Sequence, residues 1–315
     1  MATSSQPAPL LPECVPAPAA DGRGAGLRLA LADYAELTKP GIMLLILTTA
    51  LGAMLFAADG WPGLRVTVVA LAGLALSSGG GAALNHYLDR DLDAAMKRTA
   101  ARPIPAGRVS PRAALGFGVA LIAASFLVLA VGANLLAALL AVGGALVYVL
   151  VYTAWLKRRT PQNIVIGGSA GAIPPLVGWS AVTGHVGLPA LFMFAIIFYW
   201  TPPHFWALAL LAKGEYARAR VPMLPVVRGE RETARQIMLY TLLLVGVSLL
   251  PFAARSFGWL YLGCALGLGG WFLVLAWRLL RDHGSRPAAR RVFLYSLVYL
   301  ALMFVAIGVD RVRLS

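Results

Sequence analysis

Nine long runs of apolar residues dominate this chain of 315 residues. Each run approaches or exceeds the roughly 20 residues that a helix needs to cross the hydrocarbon core of a bilayer. The runs are continuous and lack the alternation of apolar and polar residues typical of membrane β-strands. We therefore expect an all-α, polytopic membrane protein with about nine transmembrane helices around a central intramembrane cavity. The predicted spans are 40–58, 64–84, 113–131, 134–153, 163–183, 187–211, 236–254, 257–278 and 291–309.

The overall composition agrees with this reading. Hydrophobic residues make up 59% of the chain and charged residues 13%, whereas a soluble domain carries about 25% charged residues. Such a composition excludes an intrinsically disordered chain, and two cysteines are too few for a disulfide scaffold. We expect residues 1–32, rich in Pro and Ala, to form a mobile tail, and residues 33–315 to form a single transmembrane domain.

Positive charge is distributed unevenly between the two sides of the predicted bundle. The net charge is +14, and the basic residues gather in the amino-terminal tail, in the long connections and at the helix ends beside them. Only Arg65, Arg255, Arg311 and Arg313 fall on the opposite side. The positive-inside rule then predicts a cytoplasmic amino terminus, cytoplasmic long loops and an external carboxyl terminus in a bacterial inner membrane. Membrane lipid accounts for the basic excess, and no nucleic-acid partner is expected.

Glycines and prolines within the spans carry two further predictions. Gly79, Gly80 and Gly81 lack side chains where helices must approach closely, so we interpret them as a packing surface. The pairs Pro174-Pro175 and Pro202-Pro203 remove backbone donors inside spans. We expect both pairs to break their helices near an internal site.

Acidic residues are scarce, yet three of them occur in five positions at the end of the second span. On a helix, Asn85, Asp89 and Asp93 follow each other at four-residue intervals and share one face, while Asp91 points elsewhere. Two carboxylates and an amide oxygen are suitable ligands for Mg²⁺ carrying a diphosphate. The alternative is a solvated helix end, where Asp and Arg side chains form ordinary pairs.

The longer string resembles a known motif. The residues from Asn85 to Pro103 read NHYLDRDLDAAMKRTAARP, which is similar to the Asn-xxx-Asp-xxx-Asp motif of intramembrane prenyltransferases of the UbiA type. The end of the string resembles the haem-prenylating branch, as do the segments 152–164, 199–208 and 221–226. Sister branches usually carry a second Asp-rich motif after the sixth span, where this chain has only Glu215, Glu230 and Glu232.

This resemblance implies an enzyme that transfers a farnesyl group from farnesyl diphosphate to a vinyl group of haem B, with addition of water. It implies Mg²⁺ as cofactor, and haem A synthase or a terminal oxidase as a downstream partner. The metal ligands would be Asn85, Asp89 and Asp93. The diphosphate would contact Arg98, Arg102 and Lys157. Further substrate contacts would come from Tyr152, Arg158 and His204.

Three alternatives remain open at this point. A prenyltransferase for another aromatic acceptor, such as a quinone precursor, would be expected to carry the second Asp-rich motif. A transporter would be expected to carry charges along a path through the membrane, whereas here the polar residues gather at one end of the spans. A non-catalytic assembly factor would be expected to have lost metal ligands, and Asn85, Asp89 and Asp93 are intact.

Overall fold

The computed structural model describes residues 22–312, with side chains over residues 29–310. Within this range the chain consists of helices joined by turns, and no strand occurs. The α-helices are α1 Gly22–Leu37, α2 Pro40–Ala57, α3 Leu64–Leu88, α4 Arg90–Ala95, α5 Pro111–Gly132, α6 Leu135–Leu146, α7 Asn163–Ala172, α8 Pro174–Thr183, α9 Leu188–Leu211, α10 Lys213–Arg218, α11 Leu224–Val227, α12 Gly229–Ala253, α13 Trp259–Arg281 and α14 Arg286–Val312.

Nine helical segments in the described range are long and apolar enough to cross a membrane, which confirms the predicted number of spans. The fourth segment, Leu135–Arg158, begins with α6, and the fifth, Asn163–Thr183, combines α7 with α8. The seventh segment begins at Gly229 rather than at residue 236, because α12 extends beyond the apolar run. Residues 1–21 of the predicted tail lie outside the described residues, while residues 22–32 belong to α1.

The fourth span changes its helical type halfway along. After α6 the chain continues as a π-helix over Val147–Trp155 and then as a 3₁₀ turn over Leu156–Arg158. π-helical segments are rare, and they are frequently found at functional sites. The side chain of Thr153 reinforces this segment by donating to the carbonyl oxygen of Tyr148 at 2.9 Å.

Glycines bring α3 and α5 into close contact, as predicted for the glycine run. A Cβ atom added to Gly80 would lie 2.7 Å from the backbone oxygen of Gly118. This distance is shorter than a van der Waals contact, so the two backbones pack directly on each other.

The two proline pairs behave differently. Helix α7 ends at Ala172 and α8 begins at Pro174, with Ile173 between them, so the fifth span is divided as predicted. The prediction of a break at Pro202-Pro203 is wrong, because α9 runs from Leu188 to Leu211 with both prolines inside it. Each proline removes one hydrogen bond, and the turns on either side continue because α7, α12 and α14 pack against this helix.

Helix α1 lies against the connection between α4 and α5. Leu37 is fully buried in a cluster with Ile104 and Val109, and Arg108 Nε donates to Asp33 Oδ1 at 2.7 Å. The connection 96–110 is therefore held in place by α1.

Consecutive spans run in opposite directions, so the connections after Leu88, Arg158, Leu211 and Arg281 lie at the same end as the start of α2. We call this the long-loop end. The central cavity predicted from the sequence stays a prediction, since two cavities found in the described part lie elsewhere. One, of about 440 Å³, is lined by residues 252, 253 and 255–259, where α12 connects to α13 at the opposite end. The other, of about 420 Å³, is open at the long-loop end and lined by Leu88, Arg90, Asp91, Thr153, Ala154 and Arg158.

Candidate active site

The end of α3 and the short helix α4 bring three polar side chains into the interior at the long-loop end. Asn85, Asp89 and Asp93 are 3%, 1% and 1% exposed, although two of them are carboxylates. Asp91 lies on the surface, as the helical spacing predicted. Asn85 Nδ2 donates to Asp89 Oδ2 at 2.7 Å, which joins the first two members.

Each of these three side chains is paired with one basic residue. Lys39 Nζ donates to Asn85 Oδ1 at 2.6 Å. Arg102 Nη1 lies 2.8 Å from both oxygens of Asp93. The third pair joins Lys157 to Asp89 Oδ2. Buried charges require such partners, because an unpaired carboxylate would lose its hydration without compensation.

The π-helical segment forms one wall of the site. Thr153 Oγ1 accepts a hydrogen bond from Asn85 Nδ2 at 3.1 Å, and the Tyr148 hydroxyl lies 3.4 Å from Lys39 Nζ. Tyr152 stacks on Tyr148 with 5.8 Å between ring centroids. The same tyrosine packs against Gly167 of α7, where an added Cβ would overlap its ring. The predicted substrate residue Tyr152 therefore lies beside the site, and its position depends on a glycine.

The donor atoms present are suitable for a divalent metal ion. Asp89 Oδ1 is buried and accepts no hydrogen bond, so one carboxylate oxygen is uncommitted. Oxygen ligands of this kind, few in number, are what Mg²⁺ prefers when a phosphate group supplies the remaining contacts. The described residues contain no cluster of three His, Cys, Asp or Glu side chains that could hold a metal. The amide oxygen of Asn85 is a further oxygen that this site can offer to a metal.

Lys39 is a site residue that the sequence pattern indicates only as part of the positive-inside distribution. Its backbone adopts the left-handed conformation, with φ of 54°, between α1 and α2, and this turn directs the side chain toward α3. Burial, together with the nearby charges of Arg102 and Lys157, lowers the pKa of Lys39 to about 7. A lysine directly before the first span, at Lys39-Pro40, was the available signal.

Two predicted substrate residues lie outside this cluster. Arg98 is half exposed and faces Glu215 of α10, with 3.8 Å between Nε and Oε2. Arg158 pairs with Asp91 on the surface, at 2.6 Å from Nη2 to Oδ1, and this hydrogen bond lowers the pKa of Asp91. The structure thus brings Arg102 and Lys157 to the carboxylates, and it places Arg98 and Arg158 at the periphery.

His204 lies in a different part of the bundle, where α9 packs against α14. Its ring is stacked between Trp200 and Phe293, at centroid distances of 4.4 and 4.9 Å. Its Nδ1 atom lies 2.7 Å from Ser296 Oγ. In the described part of the chain, no hydrogen bond or ion pair joins His204 to the buried acidic cluster.

His86 immediately follows Asn85 in the sequence and is also buried, at 2% exposed. Neither of its ring nitrogens has a hydrogen-bond partner. Because it lies off the face shared by Asn85, Asp89 and Asp93, the sequence makes it a weaker candidate for a porphyrin contact than His204.

Comparison with known proteins defines the class of this chain. Residues 45–298 match the model of the UbiA prenyltransferase family. This match covers most of the chain, so the chain belongs to that family, and it is an integral membrane protein.

A narrower similarity follows within the family. The chain is 52% identical to the protoheme IX farnesyltransferase of Gloeobacter violaceus, over 91% of this chain and 94% of the relative. Its fold is similar to that of a digeranylgeranylglyceryl phosphate synthase, with a TM-score of 0.76 and 19% identity, covering 90% and 99% of the two chains. A UbiA homologue of Archaeoglobus fulgidus bound to DMAPP and Mg²⁺ has a TM-score of 0.63 and 18% identity, covering 88% and 99%.

Proposed function

We propose that this enzyme transfers the farnesyl group of farnesyl diphosphate to a vinyl group of protohaem IX, with addition of water, giving haem O and diphosphate. The observation that carries the proposal is the buried set of Asn85, Asp89 and Asp93, each paired with one cation. The similarity to a protoheme IX farnesyltransferase supports protohaem IX as the acceptor.

The first chemical step breaks the bond between farnesyl C1 and the diphosphate oxygen, and the electron pair leaves with the diphosphate. Negative charge therefore grows on the leaving group, and fixed positive charges that face it lower the barrier. Arg102 and Lys157 provide such charges beside the carboxylates. The guanidinium of Arg102 can bind two phosphate oxygens at once, whereas Lys157 acts as a compact point charge.

We propose Mg²⁺ as the metal, held by Asn85, Asp89 and Asp93. When bound, it supplies a Lewis acid that neutralises charge on the diphosphate. The free oxygen of Asp89 supports this assignment, as does the Archaeoglobus homologue that binds DMAPP and Mg²⁺.

The second step forms a carbon–carbon bond between farnesyl C1 and the terminal carbon of the haem vinyl group. The cation that remains beside the porphyrin ring then takes up one water molecule and releases a proton. Water that arrived earlier would capture the farnesyl cation instead, so the farnesyl chain requires apolar surroundings. The buried helices behind the cluster, such as α7 and α9, provide such surroundings.

For the porphyrin we propose a contact with His204. Ser296 Oγ donates its hydrogen to the carbonyl oxygen of Phe293 at 2.6 Å, so it must accept the hydrogen bond from His204 Nδ1. This arrangement leaves the lone pair of a neutral imidazole on Nε2, which is the form that can bind iron. Arg98, Arg158 and Tyr152 complete the proposed substrate contacts.

The proposed location is the inner membrane of a bacterium, with the long-loop end in the cytoplasm and the carboxyl terminus outside. The basic residues of that end support this orientation. Haem O would then pass to haem A synthase or to a terminal oxidase.

Product analysis tests the proposal. Membranes containing the chain, given farnesyl diphosphate, haem B and Mg²⁺, should yield a haem whose mass has increased by one farnesyl group and one hydroxyl group. Asp89→Asn should abolish this product, and the matched variant Asp91→Asn, at an exposed position, should retain it. Normal turnover by Asp89→Asn would contradict the proposal, and prenylation of a quinone precursor in place of haem would support the alternative acceptor.

A further inference from the structure

Lys39 has no assigned role in the reaction, although its geometry matches that of the two cations that do. Arg102 and Lys157 each face a carboxylate of the cluster, and Lys39 faces the amide of Asn85. Its backbone occupies the left-handed region at φ 54°, which is unfavourable for a residue with a Cβ atom. Such a conformation is common directly after a helix, and here it turns the lysine side chain toward Asn85.

The orientation of the Asn85 amide shows which of its atoms Lys39 contacts. Asn85 Nδ2 donates to Asp89 Oδ2 at 2.7 Å and to Thr153 Oγ1 at 3.1 Å. Both contacts require the amino group on that side, so the oxygen must face Lys39. Oδ1 is also the atom that Asn85 can offer to a metal ion. The ammonium group and a metal ion therefore compete for one oxygen atom.

We propose that Lys39 is a third diphosphate-binding cation, which holds the Asn85 oxygen in the absence of the metal and donates to a diphosphate oxygen once metal and diphosphate have bound. This inference rests on the proposed function of the site.

The charges of the site agree with such an exchange. With Lys39 protonated, the three basic residues Lys39, Lys157 and Arg102 carry one more positive charge than Asp89 and Asp93 can neutralise. One Mg²⁺ and a diphosphate group with three negative charges together bring one further negative charge, so the filled site is neutral. Without Lys39 the filled site would carry a net negative charge in surroundings of low dielectric constant, where each charge has a large effect.

A purely structural role for Lys39 leads to different expectations. If the lysine only holds the turn between α1 and α2, its loss should weaken metal binding and diphosphate binding together. If the lysine competes with the metal for Asn85 and also binds diphosphate, its loss should strengthen metal binding and weaken diphosphate binding. Tighter metal binding together with weaker diphosphate binding, after loss of Lys39, therefore identifies the proposed role.

The experiment uses the purified full chain in lipid nanodiscs. Binding of Mn²⁺ alone is followed by electron paramagnetic resonance, and binding of inorganic diphosphate in the presence of Mg²⁺ by calorimetry. The main variant is Lys39→Gly, because glycine adopts the left-handed conformation without strain and preserves the turn. Lys39→Arg keeps the charge. Lys97→Gly removes an exposed lysine of the same end and serves as the control.

For Lys39→Gly we expect Mn²⁺ alone to bind about threefold to tenfold more tightly. Diphosphate should bind about tenfold to a hundredfold more weakly, as expected for the loss of a charge-assisted hydrogen bond. Lys39→Arg should bind diphosphate within about threefold of the wild type, and Lys97→Gly should match the wild type in both measurements.

Loss of both affinities in Lys39→Gly, or no change in either, would overturn the role of Lys39. The variant Asp89→Asn separates this outcome from a failure of the proposed function. If Asp89→Asn no longer binds diphosphate with Mg²⁺ while Lys39→Gly behaves as the wild type, only the inference fails. If Asp89→Asn binds both ligands normally, the proposed function fails as well.

Discussion

Arg102 reaches Asp93 from outside the spans, and its Nη1 atom lies 2.8 Å from each oxygen of that carboxylate. The arginine belongs to the connection 96–110, whereas Asp93 belongs to α4. The same connection is attached to α1, because Arg108 pairs with Asp33 and Glu36. Helix α1 therefore positions a cation of the site from the amino-terminal side of the first span.

Removal of Arg102 should affect both stability and activity. In Arg102→Ala the buried carboxylate of Asp93 loses its partner, and we expect the free energy of unfolding to fall by about 2 kcal/mol. Formation of haem O should fall about a hundredfold or more, because one cation facing the leaving group is lost. Thermal unfolding in detergent and product analysis measure the two effects.

The double variant Arg102→Ala/Asp93→Ala separates these effects. It removes the unpaired charge, so the melting temperature should recover most of the loss while activity remains low. Recovery of activity in the double variant would contradict the roles of both residues.

The contact between α3 and α5 should be sensitive to a single methyl group. In Gly80→Ala the new Cβ would lie 2.7 Å from the backbone oxygen of Gly118, so the helices must separate. We expect a loss of about 1–3 kcal/mol in stability, seen as a lower melting temperature. Gly116→Ala adds the same methyl group to α5, where no atom lies within 4 Å. This control should be neutral or slightly stabilising, and equal effects of the two substitutions would contradict the packing argument.

The porphyrin contact can be tested independently of the diphosphate site. His204→Ala should weaken the spectral change that haem B undergoes on binding, and it should leave binding of inorganic diphosphate with Mg²⁺ unchanged. Ser296→Ala removes the acceptor of His204 Nδ1 and should give a smaller effect in the same direction. His185→Ala changes an exposed histidine and should match the wild type. An unchanged haem spectrum in His204→Ala would limit that residue to packing.

Chemical labelling in intact cells tests the orientation in the membrane. In a background where Cys14 and Cys264 are replaced by Ser, Trp61→Cys should react with a maleimide that does not cross membranes. Asp282→Cys should react only after the cells are opened, because it lies at the long-loop end. The reverse pattern would show that the proposed orientation is inverted.

The sequence predicted the spans well, since bilayer thickness and hydropathy together determine their number and approximate ends. That Asp89 and Asp91 point in different directions was also predictable, because this follows from local helical spacing, whereas the burial of Asp89 depends on the packing around it. The contact of Lys39 with Asn85 was not, because it joins residues 46 positions apart and depends on how α2 packs beside α3. Similarly, the distance of His204 from the acidic cluster depends on the packing of α9, which hydropathy does not determine.

Two further features could not be found from residue patterns. The π-helical segment lies within a largely apolar run, where too few polar residues occur to reveal a change of helical period. The continuity of α9 through Pro202 and Pro203 depends on neighbouring helices that compensate for the lost hydrogen bonds. A proline pair predicts missing backbone donors, and whether the helix ends there is decided by tertiary packing.

Because the fourth span contains a π-helical segment, the exact length of this span determines whether Lys157 faces Asp89. Between Tyr148 and Lys157 the backbone is largely π-helical, so its side chains point in directions that differ from those in a regular α-helix. A related chain one residue shorter in this stretch would turn its lysine by about 100° away from Asp89. Insertions and deletions here should therefore be far rarer among active relatives than in the short connections at the opposite end. The length of this stretch can thus serve as a marker when active and inactive members of the family are sorted from genome sequences.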